Sequence, residues 1–167
     1  MATGNFNGNG AADLAVGAPF EDAGRVVDAG AVSVLYGSAS GLSRAGGQIL
    51  TQVGSAPETD DLFGFNLAAG DFNGNGTVDL AVAAPGEGVG SIPFAGAVSV
   101  LNGSGSGLTA AGGYLFHQNS PGVGSSAEAG DFFGGSLAAG DPATATATAS
   151  TAAGPAAGSN RLRPAAS

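Results

Sequence analysis

Nine residues, Asp71-Phe72-Asn73-Gly74-Asn75-Gly76-Thr77-Val78-Asp79, put side-chain oxygens at loop positions 1, 3, 5 and 9. Hard cations such as Ca²⁺ take about six to eight oxygen ligands, and alternate positions of a tight loop turn their oxygens inward. Glycine at position 6 allows the sharp bend, and position 7, Thr77, offers its backbone carbonyl. The spacing begins like an EF-hand, which requires Glu at position 12 between two helices. Position 12 here is Val82, inside an apolar run that reads as a strand. The loop is therefore a shorter device, closed by the acid at position 9 and set between strands. Residues 5–13 repeat it as Asn5, Asn7, Asn9, Ala11 (by its carbonyl) and Asp13. Asn5 stands where the second loop has Asp71, so the first loop has one carboxylate and the second has two. Such charge-poor loops are expected to hold Ca²⁺ weakly, near the roughly 10⁻⁴ to 10⁻³ M of extracellular modules, and Mg²⁺ less readily because it resists dehydration.

The two loops belong to a longer repeat. An offset of 66 residues aligns 5–50 with 71–116 without a gap, and 28 of those 46 positions are identical. A third copy opens later, where DLFGFNLAAGD, ending at Asp71, recurs as DFFGGSLAAGD, ending at Asp141. Each unit divides into short β-like segments, 65–69, 78–84, 97–101 and 114–118 in the second copy, separated by Gly, Asn, Pro and Ser clusters that signal turns. AVSV alternates valine with small residues, as one buried sheet face requires. LAVAA reads as a strand covered on both faces. Four short strands cannot bury their own faces, so the expected class is all-β: propeller blades of four antiparallel strands, stacked on their neighbours.

On these boundaries the chain divides into a first repeat over 1–62 that lacks its first strand, a second over 63–132, and the start of a third over 133–141. An Ala/Thr-rich tail follows over 142–167 and is expected to be disordered, because it has no aromatic residue and its one large apolar residue is Leu162. About two blades and a start make this a fragment of a larger propeller. The 32 glycines and 8 prolines fit this hairpin-dense architecture.

Charge narrows the partners. Thirteen acidic residues stand against four basic ones, all arginine. Such a chain will not track a phosphate backbone, so nucleic acid is excluded. No apolar run approaches the roughly 20 residues of a membrane-spanning helix, and membrane insertion is not expected. The absence of cysteine removes disulfides and thiolate chemistry. MATGNFNGNG has no signal-peptide pattern, so an exported protein would need a signal that this chain lacks.

No catalytic constellation emerges. His117, the sole histidine, replaces Thr51 of the sister repeat and reads as a surface strand or turn residue. There is no G-x-S-x-G elbow. Glu21, Asp22 and Asp28 follow the first Gly-Ala-Pro, but Gly88 and Phe94 stand where Asp22 and Asp28 would recur, so a carboxylate pair is not supported. Glycines 103–107 lack the Lys and the helix of a phosphate loop and read as a turn. Phe63, Phe65, Phe72 and Phe133 are expected to anchor the packing between blades.

Phe63-Gly64, the 71–79 loop and Ala83-Ala84-Pro85, with Gly17-Ala18-Pro19 in the first copy, resemble the FG-GAP repeat of integrin α-subunit β-propellers and related bacterial proteins. The resemblance spans about residues 4–141. It implies a seven-bladed propeller, with Ca²⁺ held by Asp71, Asn73, Asn75, Thr77 and Asp79, and by Asn5, Asn7, Asn9, Ala11 and Asp13. It further implies extracellular or cell-surface recognition or adhesion without catalysis, through a protein or glycan ligand met by loops 20–29 and 86–95. The alternatives are an accessory repeat module of a secreted hydrolase, of phospholipase or protease type, and a carbohydrate-binding propeller. Uncovered blade faces would also favour self-association.

Overall fold

The computed structural model describes residues 1–140; the Ala/Thr-rich tail and Asp141 lie outside the described residues. Eight strands and no helix occur among them. They are β1 (Ala2–Gly4), β2 (Asp13–Ala18), β3 (Ala31–Ser38), β4 (Gly41–Leu50), β5 (Leu67–Gly70), β6 (Asp79–Ala84), β7 (Ala97–Ser104) and β8 (Gly107–Phe116). They form two four-stranded antiparallel sheets, ordered β1-β2-β3-β4 and β5-β6-β7-β8. These are two successive propeller blades, with strand β1 lying against β5. Corresponding pairs share their register: Ala2 faces Ala15 as Ala68 faces Ala81, and both outer hairpins shift register after Val34 and after Val100.

Two expectations are corrected. The first repeat does carry an opening strand, because Ala2-Thr3-Gly4 suffices to pair with Ala15-Leu14-Asp13. The fourth strand of the second repeat begins at Gly107, not at 114, since the Gly/Ser turn is only the tip of a hairpin in which Ser104 faces Gly107. His117 consequently falls beyond the strand. Its amide donates to Ser120 Oγ at 3.0 Å, and the Ser120 amide donates back to the His117 carbonyl at 2.8 Å, closing a turn.

The main core lies between the blades and joins Val32, Val34 and Tyr36 of β3 to Leu80, Val82, Leu101 and Leu108 of the second sheet. Burying each such aliphatic side chain contributes about 1.5–3 kcal/mol. Phe63 enters the same core and is fully buried, whereas Phe65 is 46 % exposed and Phe72 37 %. Phe65 thus does not anchor the blades, its ring turned to the open side, while Phe72 lies against Gly70 as Phe6 lies against Gly4 but has no counterpart of Val78 sealing it among the described residues. Phe6 takes that role in the first loop, fully buried beside Val78.

The Phe-Gly pair is a wedge. The Phe63 amide donates to the Ala29 carbonyl at 2.9 Å, and the Gly64 amide to the Ala83 carbonyl at 2.9 Å, so consecutive residues grip consecutive blades. Gly30 has φ +85°, and a Cβ there would land on the Phe63 backbone. Phe133 repeats the arrangement, donating to the Ala95 carbonyl at 2.9 Å and packing with Ala68, Ala81 and Val98 in a second core. Strand β6 is consequently buried along its whole length, as LAVAA suggested, while β2 alternates between buried and open positions.

Candidate metal centre

Both loops join the first strand of a blade to the second, and each is built around its closing acid. Asp79 is fully buried. Its Oδ2 accepts from the Phe72 amide at 2.9 Å and the Asn73 amide at 3.2 Å. Its Oδ1 accepts from the Gly103 amide at 2.8 Å and from Asn73 Nδ2 at 3.3 Å. Asp13 does the same in the first blade: Oδ2 takes the Phe6 amide and Oδ1 the Gly37 amide, both at 2.7 Å. Each of these carboxylates thereby ties its loop to the third strand of its blade.

Gly37 and Gly103 are functional residues that the loop motif alone did not identify. A Cβ at Gly37 would strike the Ala12 carbonyl and one at Gly103 the Val78 carbonyl, so only glycine lets the third strand approach the loop closely enough. The signal was in the sequence, as an identical Leu-x-Gly-Ser at the 66-residue offset.

The remaining loop residues organise the turn. Asn75 and Thr77 amides donate to Asn73 Oδ1 and Asn75 Oδ1 at 3.0 and 2.7 Å, and Asn9 and Ala11 amides donate to Asn7 Oδ1 and Asn9 Oδ1 at 3.1 and 2.8 Å. These side-chain turns coil each loop about its own asparagines. Asp71 faces the amides of the loop: Oδ1 accepts from Gly74 at 2.8 Å and Asn75 at 3.1 Å, and Oδ2 from Gly76 at 2.8 Å. Asn5, its counterpart, makes no such bonds, and its Oδ1 is buried without a hydrogen-bond partner. The 71–79 loop is largely exposed apart from Asp79, open to an ion from solvent.

The structure thus gathers Asp71, Asn73, Asn75 and Asp79 into one turn, and Asn5, Asn7, Asn9 and Asp13 into another, with Thr77 and Ala11 at position 7 of each. The donors are hard oxygens throughout, and the unpartnered Asn5 oxygen is one that a cation would satisfy, so the residues fit Ca²⁺. Among the described residues no three His, Cys, Asp or Glu side chains gather as a metal site. Any cation here must therefore draw on amide and backbone oxygens as well as one or two carboxylates.

The loops are also part of the joint between blades. The Val78 amide donates to the Asn5 carbonyl at 3.3 Å and the Ser104 amide to the Phe6 carbonyl at 3.2 Å. Nearby, Tyr36 and Gln48 hold both polar groups of Leu108: its amide donates to Tyr36 Oη at 3.0 Å and Gln48 Oε1 at 3.1 Å, and its carbonyl accepts from Gln48 Nε2 at 3.0 Å. Burial raises the Tyr36 phenol above its ordinary value. Glu21, Asp22 and Asp28 lie outside these loops, between β2 and β3, where Asp22 Oδ1 accepts from the Asp28 amide at 3.1 Å in a local turn.

Comparison with known proteins adds two findings. The FG-GAP repeat family profile matches residues 1–35 and 63–101, one segment in each blade. Phosphatidylinositol-glycan-specific phospholipase D from Rattus norvegicus is 37% identical over 108 residues, which is 62% of this chain and 13% of that protein. The Bos taurus protein of the same name is 36% identical over 108 residues, with the same coverage. The chain spans roughly an eighth of the length of these curated relatives.

Proposed function

Because the chain belongs to the FG-GAP repeat family, we propose that it is a Ca²⁺-binding, non-catalytic propeller segment serving as an accessory repeat module of a hydrolase of the phospholipase D kind, at work outside the cell. The relatives carry a hydrolase name, and they match over 108 residues, more than the 66-residue repeat offset. That favours the accessory role over the adhesion role implied by the integrin resemblance. The recognition surface in this reading is the loop face around 20–29 and 86–95, and its partner a protein or a glycan.

The observation that carries the calcium assignment is the doubling of one oxygen-rich turn, with Asp13 and Asp79 held in the same way in both blades. Weak loops of this charge fill at extracellular Ca²⁺ levels, with dissociation constants of about 10⁻⁴ to 10⁻³ M. The test is calorimetric titration of CaCl₂ into the chain and into Asp71→Asn, which gives the second loop the donor set of the first and leaves Asp79 in place. The reading expects Ca²⁺ heat in the parent and at least several-fold weaker binding in the variant. No heat in the parent, or unchanged affinity in Asp71→Asn, would overturn it.

A further inference from the structure

At the other end of the strands from the metal loops, the chain brings a second pair of carboxyls together inside the joint between blades. Glu87 follows β6, and Asp61 lies in the segment that links the two blades; they are 6 % and 1 % exposed. Their backbones touch. The Gly86 amide donates to the Asp61 carbonyl at 3.1 Å, and a Cβ at Gly86 would strike the Asp60 carbonyl. The two carboxyl groups are within hydrogen-bonding reach of each other.

The surroundings supply few donors. Gln52 Nε2 donates to Glu87 Oε2 and, at 2.8 Å, to Ser55 Oγ, and the Glu58 amide donates to Asp61 Oδ2 at 2.5 Å. The other charged group acting on the pair is Glu58, which repels both, and no basic side chain contributes. Gln52 Oε1 is buried without a partner. Two buried carboxylates in contact cannot both ionise cheaply, whereas one proton between them turns repulsion into a hydrogen bond.

We propose that Asp61 and Glu87 form a proton-binding site that locks one blade to the next, tight when the pair shares a proton and loosened when both carboxyls are ionised. The next repeat rebuilds half of it. Gln118, the counterpart of Gln52, is likewise buried with Oε1 unpartnered, and the Glu128 amide donates to Asp131 Oδ2 at 2.7 Å as Glu58 does to Asp61. Glu21, which matches Glu87 in the first repeat, is exposed.

The direction of the pH effect follows. Burial, with Glu87 and Glu58 close by, pushes Asp61 up to about 7, and burial raises Glu87 as well. A carboxyl raised on folding means that the folded state holds the extra proton. The stabilisation is complete below the ordinary carboxyl range and is lost as pH rises through about 7. Within that window the folded-to-unfolded ratio falls by up to about tenfold per pH unit for one shared proton.

The test is a carboxyl ¹³C NMR titration of the whole chain from pH 3 to 8.5, with thermal melts of the parent, Glu87→Gln and Glu21→Gln across pH 5 to 8.5. The lock predicts a carboxyl pair titrating near neutrality and a melting temperature that drops with rising pH in the parent and in Glu21→Gln. It also predicts a flatter profile in Glu87→Gln, whose amide donates permanently to Asp61. Both carboxyls titrating near 4, or an unchanged slope in Glu87→Gln, would overturn the proposal. Should Glu87→Gln fail to fold, the titration of the parent decides alone.

Discussion

Replacing Phe63 with alanine removes the ring that the two sheets share. Phe63 is fully buried in the inter-blade core, and its amide is bonded to Ala29 of the preceding blade. Deleting a buried phenylalanine costs about 3–5 kcal/mol, the transfer of the ring plus the cavity left behind. Phe65, two residues on, is 46 % exposed, and its truncation is expected to cost under about 1 kcal/mol. In urea, with a slope of about 2 kcal/mol per molar, Phe63→Ala lowers the midpoint by about 1.5–2.5 M while Phe65→Ala moves it little. If the alanine variant is too unstable to give a native baseline, Phe63→Leu keeps part of the packing at a smaller loss of about 1–2 kcal/mol. Equal midpoint shifts for Phe63→Ala and Phe65→Ala would refute the wedge between blades.

Gly10 and Gly30 have nearly the same φ, +86° and +85°, but a Cβ meets nothing at Gly10 and the Phe63 backbone at Gly30. Gly10→Ala is therefore expected to cost about 1–2 kcal/mol from its left-handed backbone alone, and Gly30→Ala substantially more, read as the difference in their urea midpoints. Tyr36→Phe removes one of the two acceptors of the Leu108 amide and one of the two donors to Gln48 Oε1, so a loss of about 1 kcal/mol is expected in the same assay. Asp79→Ala leaves the amides of Phe72, Asn73 and Gly103 without their shared acceptor. It should destabilise the chain by more than about 2 kcal/mol even with no Ca²⁺ present, measured by melting in EDTA.

What could be read from the sequence was whatever the repeat writes twice. The strands of the second blade, the closing acids Asp13 and Asp79, and the buried Phe63 all lie at positions where two copies agree. The unread part depends on which neighbour covers a residue. Phe6 and Phe72 are the same letter at the same repeat position, yet Phe6 is sealed beside Val78 and Phe72 is partly open. Tyr36 breaks the repeat, with Asn102 as its counterpart, and its grip on Leu108 is a contact 72 residues away. The long hairpin β7–β8 was legible only in part, because residues 107–113 are, apart from Leu108, only Gly, Ala and Thr and carry no alternating pattern before Tyr114. The Asp61–Glu87 pair was hidden for the same reason: separate loops meet only once the blades have stacked.

The central functional claim is that the two oxygen-rich turns hold Ca²⁺ and that the opposite loop face does not. Amide hydrogen exchange of the whole chain, with and without millimolar Ca²⁺, tests it residue by residue. Added protection is expected at the amides of 72–77 and 103, and at 6–11 and 37, with none at 20–29 or 86–95. Protection that is unchanged by Ca²⁺, or that rises at the opposite loops instead, would contradict it.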